Sequence, residues 1–167
     1  MRKIMFYFLA LGLLSMPATS NVPTSPIGGS AAAVSVNDTE LSVFALINES
    51  RLRSRLLPLE WDSEAARLAR SYSARMARED FFDHIDPDGN SVVERAERIG
   101  LRRWHSIGEN LFKSIGVLDL SRTAVNGWMR SPSHRKNLLG REWSATGIGV
   151  AYGRGGRVYI TQIFIGR

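Results

Sequence analysis

The sequence predicts an α+β fold, because two different hydrophobic periods follow one another along the chain. Between residues 40 and 130 the apolar side chains recur at the helical spacing of three and four residues. Residues 146–151 and 158–165 have the composition and spacing of strands. Three glycines within residues 153–156 supply a turn between those strands. We therefore expect four helices followed by a β-hairpin.

The first two predicted helices have clear boundaries. Helix one covers residues 40–55, with Asp38 or Thr39 as its cap. Helix two covers residues 63–79 and is capped by Asp62. Its arginines lie opposite its apolar residues, which predicts a half-buried helix with a solvated basic face.

The next part of the chain is predicted to contain shorter helices and more turns. A Ser-x-x-Glu capping box opens a third helix over residues 91–100. A fourth helix covers residues 118–130 and is followed by a short turn at residues 134–139. The segment 106–112 between these helices carries Gly-Glu-Asn and is assigned to no regular element.

The amino terminus has the three parts of a secretory signal peptide over residues 1–20. Arg2 and Lys3 precede an apolar run at residues 4–14, and small residues follow Pro17. The run is well short of the ~20 residues that a bilayer span needs, which favours a cleaved signal over the alternative, an uncleaved anchor helix. We expect an exported protein without a transmembrane segment after cleavage, either secreted or held in the envelope.

Residues 21–38 are rich in Pro, Ser, Gly and Ala and are predicted to be a flexible linker, which leaves residues 39–167 as one folded domain. The chain contains no cysteine, so the domain depends on packing and not on disulfides. Removing Arg2 and Lys3 from the formal charge of +6 leaves +4. That mild basic bias favours anionic surfaces. No aromatic residues interleave the arginines, so we expect no nucleic-acid partner.

Two histidines and a glutamate are the candidates for chemistry. His84 precedes Asp-Pro-Asp-Gly, Glu109 lies in Gly-Glu-Asn, and His134 follows Ser-Pro-Ser. Two imidazoles and one carboxylate can bind zinc with an open fourth position, or can transfer protons across a cleft. The three residues are too far apart in sequence for periodicity to show that they converge.

The same residues belong to a longer series of motifs. Residues 39–166 resemble the CAP superfamily, also called SCP, in its bacterial cysteine-free form. The resemblance rests on five blocks in order: His84 with Asp86-Pro87-Asp88-Gly89, Gly108-Glu109-Asn110-Leu111, Trp128 with residues 131–139, Gly147-Ile148-Gly149-Val150-Ala151, and Tyr159-Ile160-Thr161-Gln162-Ile163-Phe164.

The resemblance implies a three-layer α/β/α sandwich with a central antiparallel sheet. It also implies a cleft lined by two histidines and two glutamates, which some members use to bind zinc or another divalent cation. Carried over, these residues are His84, His134 and Glu109, and the second glutamate position holds Ser131. Asn110 and Gln162 are further candidates for lining the cleft.

The resemblance is compatible with two functions, one without catalysis and one enzymatic, and does not decide between them. The leading hypothesis is a secreted, non-catalytic module that binds an extracellular lipid, cell-wall fragment or protein in the His/Glu cleft. The alternative is a metal-dependent extracellular hydrolase of peptidase type that uses the same cleft, although the sequence carries no His-Glu-x-x-His motif. Ser131 as a nucleophile beside His134 is conceivable, but Ser-Pro at this point is simpler as a helix end.

Overall fold

A computed structural model of the chain describes residues 35–167, and the predicted signal peptide and residues 21–34 of the predicted linker lie outside the described residues. The helices are α1 (Val36–Arg53), α2 (Ser63–Glu79), α3 (Val92–Arg98), α4 (Leu120–Arg130) and α5 (Pro132–Leu138). The strands are β1 (Glu60–Trp61), β2 (Ser106–Ile115), β3 (Ala145–Tyr152) and β4 (Arg157–Gly166).

The strands form one sheet in the order β1–β3–β4–β2. Strand β4 is antiparallel to both β3 and β2, whereas the two-residue β1 pairs with β3 in parallel. The predicted hairpin is therefore present and supplies the centre of the sheet. Strand β2 is an addition to the prediction: the segment left unassigned pairs with β4 along ten residues and forms an edge of the sheet.

Helices cover both faces of the sheet, which confirms the predicted three-layer α/β/α sandwich. On one face α1, α4 and α5 bury their apolar side chains against β3 and β4. This core contains Val43, Ile47, Trp128, Leu138, Ile148, Ile160 and Phe164. On the other face α2 and α3 pack through Ala65, Leu68, Ala69 and Ala96 against Ile163 and Ile165.

The glycines of the predicted strand at residues 146–151 let α2 lie directly on β3. A Cβ atom added to Gly147 would overlap the backbone of Ala66, and one added to Gly149 would overlap the backbone of Arg70. Close packing of this kind needs a residue without a side chain on the strand. The pattern Gly-x-Gly is therefore explained by the approach of a helix to one face of β3.

Two of the differences from the predicted boundaries have clear local reasons. Helix α1 begins at Val36, before the predicted start, because the Ser35 side chain accepts a hydrogen bond from the Asp38 N–H at 3.1 Å and caps it. The predicted turn at residues 134–139 belongs to helix α5, which has Pro132 in its first turn. A seven-residue helix is too short for its periodicity to be recognised.

The arginine face of α2 is less solvated than its pattern predicts. Arg70 pairs with the buried Glu40 of α1 at 2.6 Å, and Arg75 pairs with the buried Asp86 at 2.8 Å. The other two arginines of this face remain largely exposed. None of the helices in the described part of the chain has the length and hydrophobicity needed to cross a bilayer.

Candidate functional site

The candidate site lies at the edge of the sheet that β2 forms. Glu109 and Asn110 are neighbours on this strand, so their side chains point to opposite faces. Glu109 contacts His84, which lies in the loop that follows α2, while Asn110 contacts the backbone of His134 in α5. The two histidines thus reach the same strand edge from the two helical layers.

His84 and Glu109 form a hydrogen-bonded pair of unequal exposure. The distance from His84 Nδ1 to Glu109 Oε1 is 2.8 Å, and the side chains are 54% and 3% exposed respectively. An ionised carboxylate only accepts hydrogen bonds, so Nδ1 donates and Nε2 is the ring nitrogen left for a ligand. The buried carboxylate therefore fixes the orientation of an accessible imidazole.

The environments of the two histidines shift their pKa values in opposite directions. The hydrogen bond to Glu109 raises the pKa of His84 above its ordinary value. Burial lowers the pKa of His134, and the charge on His84 lowers it further. At pH values between the two shifted pKa values, His84 is protonated and His134 is neutral.

Arg95 is the functional residue that the sequence did not reveal. Its Nη2 atom donates to Glu109 Oε2 at 2.6 Å and its Nη1 atom donates to the His84 carbonyl at 2.9 Å. The guanidinium lies 3.4 Å from the ring centroid of Tyr72, and the side chain is 8% exposed. Arg95 thus connects the buried carboxylate to the loop that carries His84. Its place directly after the capping-box glutamate gives no sign of this role.

The loop that carries His84 is organised around the carboxylate of Asp86. The Asp86 Oδ1 atom accepts from the Asn90 N–H at 2.8 Å and the Asp88 N–H at 3.0 Å, and Oδ2 accepts from Arg75 at 2.8 Å. Burial alone would raise the pKa of Asp86, but the hydrogen bonds from Asn90 and the charge of Arg75 lower it. The conformation of the loop is therefore set by its own carboxylate.

Asn110 holds α5 against the edge of the sheet. It is fully buried, and its Nδ2 atom donates to the His134 carbonyl at 3.2 Å. Its Oδ1 atom accepts from Asn137 Nδ2 at 3.0 Å, and the same amide group of Asn137 donates to the Glu109 carbonyl at 3.2 Å. Asn110 therefore positions His134 through the backbone and offers no accessible surface of its own.

The remaining two candidates lie outside the hydrogen-bonded centre of the site. Gln162 is fully buried on β4, opposite Asn110, and donates to Thr146 at 3.3 Å. Ser131 lies between α4 and α5, with its hydroxyl 3.4 Å from that of Ser133. Within residues 35–167 Ser131 makes no hydrogen bond to His134, so the pair lacks the contact that a nucleophile and its base require.

The family comparison agrees with this geometry. The profile of the CAP family, described as the cysteine-rich secretory protein family, matches residues 44–164. The chain belongs to the CAP family. The match includes all the candidate site residues, from His84 in the loop after α2 to Gln162 on β4.

Two curated proteins of Bacillus subtilis are similar to this CAP domain. The uncharacterized protein YkwD is 34% identical over 137 residues, which are 82% of this chain and 51% of YkwD. The uncharacterized membrane protein YlbC is 33% identical over 129 residues, which are 77% of this chain and 35% of YlbC. The chain thus spans about half, or less, of the length of these relatives.

Two solved structures share the fold. An extracellular protein of Bacillus anthracis that contains an SCP domain matches with a TM-score of 0.68 at 30% identity, over 78% of this chain and 41% of that chain. An outer surface protein of Borrelia burgdorferi matches with a TM-score of 0.72 at 19% identity, over 80% of this chain and 96% of that chain. The second likeness concerns the fold alone.

The donor set of this CAP domain does not provide three protein ligands for a metal. Residues 35–167 contain no group of three or more His, Cys, Asp or Glu side chains that could hold an ion. Both oxygens of Glu109 are already bonded, one to His84 and one to Arg95. A cation at this edge would have the two imidazoles as its protein ligands, with Glu109 behind His84 as the carboxylate that orients a ligating histidine.

Proposed function

We propose that this CAP domain is a non-catalytic extracellular module that binds its ligand through His84 and His134 at the β2 edge. The observation that carries the proposal is the bonding of Glu109. Its buried carboxylate is shared between the His84 imidazole and the Arg95 guanidinium, at 2.8 and 2.6 Å. This arrangement positions an imidazole and leaves no free carboxylate to act on a substrate.

The bonding of Glu109 weighs against this carboxylate as the general base of a hydrolase. A general base must lie within hydrogen-bond reach of the proton that it removes. Glu109 is 3% exposed and is held between two donors, one of them the cationic Arg95. Removing a substrate proton would require the carboxylate to give up one of these partners. The hydrolase alternative therefore has no proton acceptor among the family-type carboxylates of this chain.

The two imidazoles indicate the chemistry of the ligand. The raised pKa of His84 makes it the imidazole that protonates first and then acts as a cationic donor, whereas the lowered pKa of His134 keeps that imidazole neutral until a lower pH. A cationic donor beside a neutral imidazole suits a ligand that carries an acceptor or anionic group next to a polar one. Cell-wall fragments, lipid headgroups and protein side chains all include such groups.

Export to the cell exterior belongs to the same proposal. The first 20 residues have the pattern of a signal peptide, and the similar structure from Bacillus anthracis is of a protein described as extracellular. We infer that the domain meets its ligand in the medium or the envelope. The mass of the amino terminus of protein collected from the medium tests this inference, because an intact Met1 contradicts cleavage.

The three histidines of the chain allow a direct test of the cleft. Solubilised cell-wall fragments are titrated into the exported protein, and the histidine ring signals are followed by NMR. We expect the His84 and His134 signals to shift and that of the exposed His105 to stay in place. His105→Ala is the matched control for His84→Ala and His134→Ala. Unchanged binding in both cleft variants would show that the ligand binds elsewhere.

The same protein also tests the hydrolase alternative. It is incubated with unstructured peptides, with and without a chelator, and its metal content is measured. We expect no cleavage above that of the His84→Ala variant. Stoichiometric zinc together with cleavage that the chelator abolishes would reverse the order of the two functions.

A further inference from the structure

We propose that a second surface of the domain, distant from the histidines, rests on the surface of a lipid bilayer. This surface, called the apolar end below, consists of Val36, Ile115, Val117, Leu118 and Tyr152. These are half of the large hydrophobic side chains that are exposed among residues 35–167. The inference is independent of the ligand proposed for the cleft.

The loop between β2 and α4 is the most exposed part of the apolar end. Leu118 is 108% exposed, Ile115 is 61% exposed and Val117 is 36% exposed. Three of the four residues 115–118, at the end of β2 and in the loop that follows it, are thus aliphatic in a surface position where polar residues are usual. Single exposed leucines are common on soluble proteins, but a run of this kind marks an interaction site.

The other members of the apolar end lie beside this loop. A groove of about 510 Å³ is lined by the loop residues Val117 and Leu118, by Thr39 of α1 and by Tyr152 and Val158 of the β3–β4 hairpin. Tyr152 is itself 54% exposed. One loop, one helix start and one hairpin therefore meet at the same end of the domain.

The shape of the apolar end favours a bilayer over a peptide partner. Leu118 is 108% exposed, so a segment lying in the groove would cover only the side of it that faces the groove, whereas an interfacial lipid layer surrounds a protruding side chain. Tyrosine is well suited to this interface because its ring is apolar and its hydroxyl polar.

The charges around the apolar end are compatible with anionic headgroups. Arg154, in the turn of the β3–β4 hairpin, is exposed and has no carboxylate within ion-pair distance in the described part of the chain. Asp119, the acidic residue of the loop between β2 and α4, is paired with Arg122 at 3.1 Å. Asp38, in the first turn of α1, is exposed and offsets the charge of Arg154, so the apolar end carries little net charge and does not repel a negatively charged membrane.

The cleft stays accessible in this orientation. Glu109 and Ile115 lie on the same strand, and their separation along β2 is about 20 Å at the usual rise per residue. A bilayer in contact with Ile115 would therefore lie well away from Glu109 and its partner His84, and would not cover them. The two binding surfaces can act at the same time.

Sedimentation with vesicles tests the proposal. Exported protein collected from the medium is spun with vesicles of phosphatidylethanolamine and phosphatidylglycerol. The test variant carries Val117→Ser and Leu118→Ser. The control is Leu57→Ser, because Leu57 is 84% exposed just beyond the far end of α1, about 27 Å from Val36. We expect wild type and control to bind alike and the test variant to bind at least tenfold more weakly.

A fluorescent reporter locates the contact. The chain has no cysteine, so Leu118→Cys and Leu57→Cys each provide a single labelling site for an environment-sensitive dye. We expect vesicles to shift the emission of the dye to the blue at position 118 and to leave it unchanged at position 57. Equal sedimentation of the test variant and wild type, no sedimentation of wild type, or no emission shift at position 118 would each overturn the proposal.

Discussion

Arg95 and Glu109 form a buried ion pair beneath the exposed imidazole of His84. The Nη2–Oε2 distance is 2.6 Å, and the two side chains are 8% and 3% exposed. A second bond from Arg95 reaches the His84 carbonyl at 2.9 Å. This pair determines both the position of the imidazole and the charge of its surroundings.

Arg95→Met is expected to destabilise the domain by about 3–5 kcal/mol, because it leaves the Glu109 carboxylate buried with only His84 as a partner. The free energy of unfolding in urea measures the effect. Arg98→Met is the control, since Arg98 is exposed on the same helix and bonds to Asn90 only. Equal stability of the two variants would mean that the ion pair between Arg95 and Glu109 does not stabilise the fold.

Glu109→Gln is expected to lower the pKa of His84, because the amide removes the charge and the charge-assisted hydrogen bond that raise it. Histidine titration by NMR, in the presence of a chelator, measures the shift directly. The stabilisation that this pair gives wild type is complete below the ordinary histidine pKa of about 6.5 and is lost as pH rises through the raised value. An unchanged pKa in the variant would contradict the assigned contact.

Asp86 is expected to make the domain sensitive to acid. Its pKa is lowered in the folded protein, so its stabilisation is present above the unfolded value of about 3.9 and is lost as pH falls through the folded value. Asp86→Asn should therefore be less stable than wild type at pH 7 and should approach it near pH 2. Chemical unfolding at both pH values measures the difference in free energy of unfolding between wild type and the variant. If that difference is the same at pH 7 and pH 2, the acid sensitivity does not come from Asp86.

Gly149→Ala is expected to cost about 3 kcal/mol or more, because the new methyl group would overlap the backbone of Arg70 in α2. Gly127→Ala is the matched control. Its Cβ would lie 3.6 Å from Phe112 in ordinary contact, and alanine favours a helix by about 1 kcal/mol over glycine. In thermal unfolding, we expect Gly149→Ala to have a lower melting temperature than wild type and Gly127→Ala to have a higher one. A stable Gly149→Ala protein would contradict the close packing of α2 on β3.

Chelation is expected to leave the melting temperature unchanged, because the partners of Glu109 are side chains of the protein itself. Exported protein is dialysed against EDTA, and its thermal unfolding is compared with that of untreated protein. Restoration with zinc serves as the control. A lower melting temperature after EDTA that zinc reverses would show that a cation holds the two histidines together.

The elements that the sequence predicted are those whose signals are local. The caps at Asp62 and Ser91 and the amphipathic face of α2 lie within a few residues of the helices that they start or describe. The hairpin of β3 and β4 is signalled by its own turn. The resemblance to the CAP family then placed these elements in three layers and selected His84, Glu109 and His134.

Strand β2 and the contacts of the site could not be predicted in this way. Glu109 and Asn110 interrupt the apolar pattern of β2, and they are tolerated because Arg95 and the His134 backbone satisfy them from other elements. Those partners are 14 and 24 residues away in sequence.

By itself, then, the sequence determined four of the five helices in residues 35–167, the hairpin and the identity of the candidate residues. Only the tertiary structure decided that Glu109 is bonded on both oxygens, that Asn110 and Gln162 are buried, and that the loop between β2 and α4 exposes Leu118. The physical reason is that helix and turn signals depend on neighbouring residues. The burial of a charge depends on which distant side chains fold against it.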